Sequence, residues 1–139
     1  MHSIIVTLDK TMTEDELFEM MPKAVDSVRD KTSTHLVEAK GFLSNFGEVK
    51  DGLFTPDLER IKVTLVGKFE RYKAVEINSL EDFIDTRKNW EARSALNDPL
   101  EAYVCEDGWL MTYTEWLREI YVTKNTLPSK ITGVFDYHF

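Results

Sequence analysis

The fold of this chain is decided by residues 103–122, which read YVCEDGWLMTYTEWLREIYV. Two apolar triplets, residues 103–105 and 109–111, flank an Asp-Gly pair, and such a pair between apolar runs predicts a tight β-hairpin. Thr112 and Glu115 then form the Thr-x-x-Glu pattern of a capping box, which predicts a helix directly after the hairpin. A hairpin joined to a helix favours an α+β fold over a parallel α/β one.

The N-terminal part of the sequence adds one strand and two helical segments. Residues 3–8 are short and rich in β-branched side chains, which predicts an opening strand. Thr13 and Glu16 form a second capping box, so we expect a short helix after it. Apolar residues at alternating spacings of three and four then predict helix over residues 22–46, with Pro22 in its first turn.

The middle and the end of the sequence contribute further strands and one helix. Residues 51–52, an Asp-Gly pair, predict a turn. Alternating apolar and polar residues over 61–65 predict a half-buried strand, and residues 74–77 predict another short one. Ser79 opens a predicted helix, and residues 131–139 are typical of a terminal strand. We therefore expect an α+β fold whose mostly antiparallel sheet packs against three to four helices.

The composition predicts one compact, soluble domain spanning residues 1–139. Apolar residues make up 42% of the chain and charged residues 30%, which is ordinary for a globular protein. A chain of this length buries enough surface to fold without disulfides or metals. Cys105 is the only cysteine, which is typical of a reducing compartment, and no segment resembles a signal peptide or a membrane span. We therefore expect a cytoplasmic protein.

The charge of the chain indicates what kind of partner it could bind. The chain has 25 acidic and 17 basic residues, a net charge of −8, and the excess is spread evenly along the sequence. Direct binding to nucleic acid or to an anionic membrane needs a positive surface, which this balance does not favour. The sequence instead favours another protein with a basic surface as the partner.

Sequence signatures of enzymes are missing. The chain has no Gly-rich phosphate loop, no Gly-x-Ser-x-Gly elbow and no His-Glu-x-x-His helix. His35 and Glu38 share a helix face in the predicted helix, but two ligands do not make a metal site. Cys105 is followed by Glu106 and Asp107, whose charges oppose formation of a thiolate, so we expect a structural cysteine. The sequence thus predicts no catalytic residue, no cofactor and no metal.

Three acidic clusters are candidates for partner binding. Two of them, at residues 14–19 and 81–85, fall in the first turns of predicted helices, where carboxylates stabilise the helix dipole. The third consists of Glu101, Glu106 and Asp107 around the predicted hairpin tip, which is an exposed place for a contact. Trp109 lies beside the same tip, and Trp is a frequent interface anchor. We predict that these four residues bind the partner. Trp116 is expected instead in the core.

Three functional hypotheses fit these observations. The favoured one is a non-enzymatic acidic inhibitor, similar in kind to an immunity protein or a phage inhibitor. Its carboxylates would imitate nucleic-acid phosphates and occupy the basic groove of the partner. The alternative is a small enzyme or ligand-binding domain with a site assembled from scattered residues, for which the candidate polar groups are His35, Glu38, Glu70 and Arg71. The third is an oligomer that pairs through Trp109. The sequence leaves the oligomeric state open.

Overall fold

The computed structural model describes all residues, Met1–Phe139, as an α+β fold with six helices and one seven-stranded sheet. The strands are β1 His2–Leu8, β2 Ser27–Asp30, β3 Gly47–Lys50, β4 Leu53–Pro56, β5 Tyr103–Glu106, β6 Trp109–Thr112 and β7 Ser129–His138. The helices are α1 Glu14–Met20, α2 Leu36–Ser44, α3 Leu58–Val75, α4 Leu80–Ile84, α5 Thr86–Asn97 and α6 Tyr113–Thr123. The predicted class, α+β with a mostly antiparallel sheet, is confirmed.

The two terminal strands form the centre of the sheet. Its main order is β3-β4-β7-β1-β5-β6, and β2 also pairs with β7. The ten-residue strand β7 is long enough to pair antiparallel with β1 along its length while β4 and β2 pair with its two halves. Only the β1–β5 pair is parallel. This pairing places the β5–β6 hairpin at one side of the sheet, next to the end of β1.

Both faces of the sheet are covered. Successive side chains of a strand point to opposite faces, so Val6 and Leu8 of β1 enter one core while Ile5 enters the other. The larger core lies under α2, α3 and α6 and includes the fully buried Trp116 and Leu117. The smaller core is closed by α1 and the segment that follows it. A sheet with two covered faces explains the continuous apolar run Ile4-Ile5-Val6 in the middle of β1.

Helices α4 and α5 form an outer layer, and α5 reaches the sheet at its last residue, Asn97, which accepts a hydrogen bond from Thr112 of β6. Helix α5 packs mainly on α3 through Ala92 and Ala95, whose small side chains let the two helices approach closely. Helix α4 buries no side chain and contacts α5. The predicted helix from Ser79 is thus divided in two at Asp85, which caps α5 by accepting a hydrogen bond from the Lys88 backbone N–H. None of the six helices is both long and apolar enough to span a membrane.

The helix predicted over residues 22–46 is wrong in its first half. Residues Ser27–Asp30 form strand β2 against β7, and helix α2 begins only at Leu36. The Asp30 side chain accepts hydrogen bonds from both the backbone N–H and the hydroxyl of Thr32, at 2.9 and 2.7 Å. Such a turn stops any helix from continuing, because it takes up backbone donors in a non-helical conformation. The edge of β7 provides the pairing that stabilises an extended conformation instead.

The strands predicted over residues 61–65 and 74–77 are also wrong, since α3 runs unbroken from Leu58 to Val75. The Asp57 side chain caps this helix by accepting from the backbone N–H groups of Glu59 and Arg60. The alternation that indicated a strand depended on Val63, which is 73% exposed. The buried positions repeat at helical spacing and are Ile61, Lys68 and Val75.

Both Asp-Gly pairs form hairpins. Asp107 and Gly108 have positive φ angles of 51° and 86°, and Asp51 and Gly52 have φ angles of 53° and 76°. Consecutive positive φ angles are required by the type I′ turn, whose twist matches the flanking strands. The β5–β6 hairpin was predicted and is confirmed. The β3–β4 hairpin was predicted only as a turn, because its strands, unlike β5 and β6, carry no apolar triplet on either side of the Asp-Gly pair.

Candidate functional site

Two exposed apolar side chains lie between the β5–β6 hairpin and α6. Trp109, at the start of β6, is 73% exposed, and Val122, near the end of α6, is 77% exposed. Both line a shallow depression of about 340 Å³, whose charged lining residues are Glu115, Arg118 and Glu119. Asp107 is exposed at the turn itself, where its backbone N–H donates to the Leu8 carbonyl at 3.0 Å. We call Asp107, Trp109, Glu119 and Val122 the hairpin surface.

A deeper cleft of about 430 Å³ opens beside the hairpin surface, between α6 and the ends of β1 and β5. Three carboxylates line it, from Asp9, Glu106 and Glu119, and no lysine, arginine or histidine does. None of the three takes part in an ion pair. Leu127, which is 73% exposed, supplies its accessible apolar wall, whereas the rings of Phe54 and Trp116 are buried beneath it with centroids 5.3 Å apart. We call this the acidic cleft.

The Glu106 carboxylate is held in place by two neutral donors. The indole Nε1–H of Trp116 donates to Oε2 at 3.1 Å, and the Ser129 hydroxyl donates to Oε1 at 3.3 Å. Neutral donors orient a carboxylate without cancelling its charge. The buried Trp116 thus serves as core, as predicted, and also fixes one of the charges in the acidic cleft. A carboxylate held by neutral donors suits the ammonium or guanidinium group of a basic side chain.

The four predicted partner-binding residues do not all lie together. Glu106, Asp107 and Trp109 lie at the hairpin tip, although Glu106 points into the cleft. Glu101 precedes the other end of β5, on the order of 15 Å away at about 3.3 Å per residue. Its carboxylate faces α3, where Oε2 lies 3.7 Å from the Lys68 ammonium.

Glu101 and Lys68 form a buried charged contact. The Lys68 side chain is only 6% exposed and that of Glu101 27%. Burial raises the pKa of the Glu101 carboxyl, and the attraction of the Lys68 ammonium partly opposes this increase. Neither Lys68 Nζ nor Glu101 Oε2 has a hydrogen-bond partner. This contact lies apart from the hairpin surface and belongs to the α3–α5–α6 side of the molecule.

The two other acidic clusters serve mainly to cap helices. The Glu16 side chain accepts from the Thr13 backbone N–H, and this hydrogen bond is the main cause that lowers the pKa of Glu16. Asp82 accepts from the Lys88 ammonium and from the Asn78 backbone N–H, and these bonds lower its pKa in that order. These carboxylates therefore stabilise the ends of helices and their connecting turns, as the sequence indicated.

The remaining candidates from the sequence are placed as follows. Cys105 is fully buried, and burial raises the pKa of its thiol, which fits a structural role. His35 and Glu38 approach to 3.5 Å at the start of α2, but no group of three or more His, Cys, Asp or Glu side chains could hold a metal ion. Glu70 pairs with Lys73 within α3, and Arg71 lines a separate cleft between α3 and α5. The structure does not bring these four polar groups together into one site.

Three residues of these surfaces were missed at the level of sequence. Asp9 and Glu119 complete the acidic cleft, and Lys68 meets Glu101. Asp9 follows β1 and Glu119 lies on α6, so only the pairing of β1 with β5 and the packing of α6 on the sheet bring them near Glu106. Helical periodicity over residues 58–75 would have placed Lys68 on the buried side of α3, had the segment been predicted as helix. Comparison with protein-family models, with curated proteins and with solved structures found no match to this chain.

Proposed function

We propose that this chain is a non-enzymatic protein-binding domain that docks onto a basic surface of another protein. The observation that carries the proposal is the acidic cleft, which three carboxylates line, with no cationic residue in the lining and no ion pair to any of the three. An unbalanced negative cleft with apolar walls concentrates the electric field and attracts positive groups. A lysine or arginine of the partner fits this site through its charge and through its apolar stem.

The hairpin surface supplies the apolar part of the interface. Trp109 is fixed on a short hairpin with a well-defined turn, so little conformational freedom is lost when a partner covers it. Aromatic anchors surrounded by polar residues are typical of binding hot spots. Glu119 belongs to both the hairpin surface and the acidic cleft, so the two form one continuous contact area.

The most specific form of this proposal is an inhibitor. Proteins that handle nucleic acids carry the strongest basic faces, and an acidic domain that covers such a face blocks access of the phosphates. We therefore propose that the partner is a nucleic-acid-handling protein and that binding competes with its nucleic acid. Competition by DNA or RNA for the captured partner tests this form separately from binding itself.

The test compares two charge reversals that change the net charge equally. Glu119→Lys alters the acidic cleft, whereas Glu19→Lys alters an exposed acid on α1, which covers the opposite face of the sheet. With a partner captured from the native host, we expect Glu119→Lys to weaken binding by about tenfold or more, since the charge change lies at the contact. Glu19→Lys is expected to change affinity only slightly, because distant charges are screened at physiological salt.

Salt and the aromatic anchor provide the second arm of the test. The association rate should fall steeply between low and high ionic strength, and Trp109→Ala should increase the dissociation rate. Val37→Ala removes an equally exposed apolar side chain from α2 and is the matched control, expected to have no effect. Equal effects of the two charge reversals, or binding that does not respond to salt, would contradict the proposed surface.

A further inference from the structure

Strand β6 forms one edge of the sheet and has no strand on its outer side. It pairs only with β5, and its other main contacts are with α6. In an antiparallel pair, residues that bond across the pair alternate with residues whose backbone groups point away from it. Glu106 and Trp109 flank the two-residue turn and form a bonded pair. The next residue, Leu110, therefore points its backbone N–H and C=O away from β5.

The outward backbone groups of Leu110 are free, whereas outward groups at the other two sheet edges are used. Leu110 makes no backbone hydrogen bond to a loop or a turn and none to a side chain. On β2, the Asp30 backbone N–H donates to the Glu14 carboxylate of α1 at 3.0 Å. On β3, the Gly47 carbonyl accepts from the Arg60 guanidinium of α3 at 2.7 Å. The edge of β6 is thus the one whose pairing groups remain available.

The side chains of β6 also leave this edge open to pairing. Edge strands are usually protected by charged residues, proline or bulges, which prevent another strand from adding. The other two edge strands each carry one basic and one acidic residue, namely Arg29 and Asp30 on β2, and Lys50 and Glu48 on β3. Strand β6 has no charged residue, no proline and no register shift. It is short, however, and because the Thr112 backbone N–H donates to Glu115, only Leu110 offers both of its backbone groups.

The surroundings of β6 indicate which side chains an added strand carries. Trp109 and Met111 point toward α6 and line the shallow depression of about 340 Å³. Every second side chain of a strand beside β6 would lie over this depression. Acids outnumber cations around the depression, the turn and the acidic cleft: the acids are Asp9, Glu106, Asp107, Glu115 and Glu119, and the cations are Arg118 and Lys10, which lies beside Gly108. This excess favours basic side chains at alternate positions of the added strand.

We propose that an extended, basic segment of the partner adds to the sheet as a strand beside β6. This inference rests on the proposed function, since the segment belongs to the protein that docks at the acidic cleft. Its backbone bonds the N–H and C=O of Leu110, its basic groups meet Glu119, and their apolar stems cover Trp109. A helix cannot take its place, because a helix uses its own backbone groups internally. A second copy of this chain would bring the same acids against each other, and like charges oppose such pairing.

Titration of the full chain with a basic peptide, followed by amide NMR, tests the proposal. The probe has eight residues, the sequence Lys-Val-Lys-Thr repeated twice, with both ends blocked. We expect saturable shifts at Trp109, Leu110 and Glu119, and the Leu110 amide should exchange with solvent about tenfold more slowly or less at saturation. Val49 occupies the equivalent outward position on β3, next to the residue that flanks the other Asp-Gly turn, so its exchange should not change.

The charge of the probe is tested with a matched peptide in which glutamate replaces every lysine. It should bind at least about tenfold more weakly, because its charges repel the acids around β6. Equal binding of the two peptides, or no saturable shift with the lysine peptide, would overturn the proposal.

Peptides with N-methylated backbones separate strand addition from a contact through side chains alone. Only every second N–H of an added strand points toward β6. One peptide is methylated on the backbone nitrogens of its lysines, and the other on those of its valines and threonines. We expect one of the two to lose about tenfold in affinity and the other to bind like the parent peptide, since a hydrogen bond contributes on this scale. Equal affinities of the two methylated peptides would refute strand addition.

Two variants of Leu110 place the added strand on β6. Leu110→Pro removes the outward N–H at an edge position, where proline is tolerated, whereas Leu110→Ala removes the same packing on the smaller core and keeps the N–H. Leu110→Pro should weaken binding of the lysine peptide by about tenfold, and Leu110→Ala by less than about threefold. The methylated peptides need no variant, so the test stays valid if Leu110→Pro folds poorly. Equal effects of the two variants would contradict pairing at Leu110.

The same variants separate this inference from the proposed function. If Glu119→Lys weakens binding of the native partner but Leu110→Pro does not, the protein-binding function stands and strand addition fails. If neither substitution weakens that binding, both fail. A dimer in solution that Leu110→Pro dissociates would also overturn strand addition by the partner, because a second copy would then cover the edge.

Discussion

Replacement of Lys68 by Met should destabilise the protein at neutral pH and have little effect in acid. At 3.7 Å and an effective dielectric constant of about 20, the attraction between Lys68 and Glu101 is about 4–5 kcal/mol. Burial of the two charges offsets most of this attraction, and the partial exposure of Glu101 screens it further. We therefore expect Lys68→Met to lower the free energy of unfolding by about 1–3 kcal/mol at pH 7.5.

The pH dependence of the stability follows from the direction in which the pKa of Glu101 is shifted. Its pKa in the folded state is raised by burial, so the stability linked to this group is fully present below the unfolded pKa. That stability is lost as the pH rises through the folded pKa. Lys68→Met removes the attraction that holds the pKa down, so the loss with rising pH becomes larger in the variant. At pH 4 the carboxyl is mostly neutral, and we expect wild type and variant to differ by less than about 1 kcal/mol.

Urea unfolding followed by tryptophan fluorescence, at pH 4 and pH 7.5, measures both quantities. Lys62→Met is the control for loss of a lysine on α3. Glu101→Gln and the double variant complete a cycle, in which the double variant should recover most of the stability lost by Lys68→Met at pH 7.5. An equal cost of Lys68→Met at both pH values, or strict additivity of the two changes, would refute a coupled buried pair.

Two further predictions concern the hairpin end and the smaller core. Thr112→Ala should lower the free energy of unfolding, measured in urea, by about 1–2 kcal/mol. The hydroxyl of Thr112 accepts from the Glu115 backbone N–H at the start of α6 and also bonds Asn97, and the variant loses both bonds. A change below about 0.5 kcal/mol would contradict this. Burial raises the pKa of Tyr103 to about 12 and raises that of Tyr137 as well. The stability linked to the two neutral hydroxyls is therefore fully present below pH 10 and is lost as the pH rises through these raised pKa values. An absorbance titration at 295 nm should therefore show these two tyrosines ionising only as the protein unfolds, whereas normal ionisation in the folded state would show that they are not buried.

Local signals in the sequence were sufficient for the parts of the fold that depend on neighbouring residues. The β5–β6 hairpin follows from its Asp107-Gly108 turn, and α1 and α6 follow from capping boxes that begin at Thr13 and Thr112. Each of these elements is specified by side chains that bond to backbone within a few residues. Their prediction did not require knowledge of the rest of the chain.

Elements that depend on distant residues could not be predicted in the same way. Val25 and Val28 have helical spacing, yet β2 forms because β7, more than 100 residues later, offers an edge for pairing. In α3 the misleading signal came from Val63, since an exposed valine completed an alternation that has no structural meaning. A short window cannot separate these cases, because it contains no information on which side chains become buried.

The residues of the candidate sites also divide into those that local sequence signals identified and those that they did not. Asp107 and Trp109 were identified because a hairpin tip is exposed by its geometry. Glu101 was grouped with them by sequence distance, but β5 separates the two ends of that group. Lys68, which contacts Glu101 across 33 positions, had no local signal as a partner. Sequence proximity thus assigned Glu101 to the wrong neighbours, although it did identify a residue in an unusual environment.

Net charge alone does not explain the electrostatics of this protein, because many of its carboxylates bond to backbone N–H groups or pair with lysine. The unpaired carboxylates that remain are concentrated beside α6. Trp116, Glu119 and Thr123 repeat at helical spacing and face the acidic cleft. Arg118, the only cationic residue of α6, lines the depression beside Trp109 and the side of α6 that faces α3 and α5, but it does not line the acidic cleft. The acidic cleft therefore stays negative because the helix turns its one cation away from it.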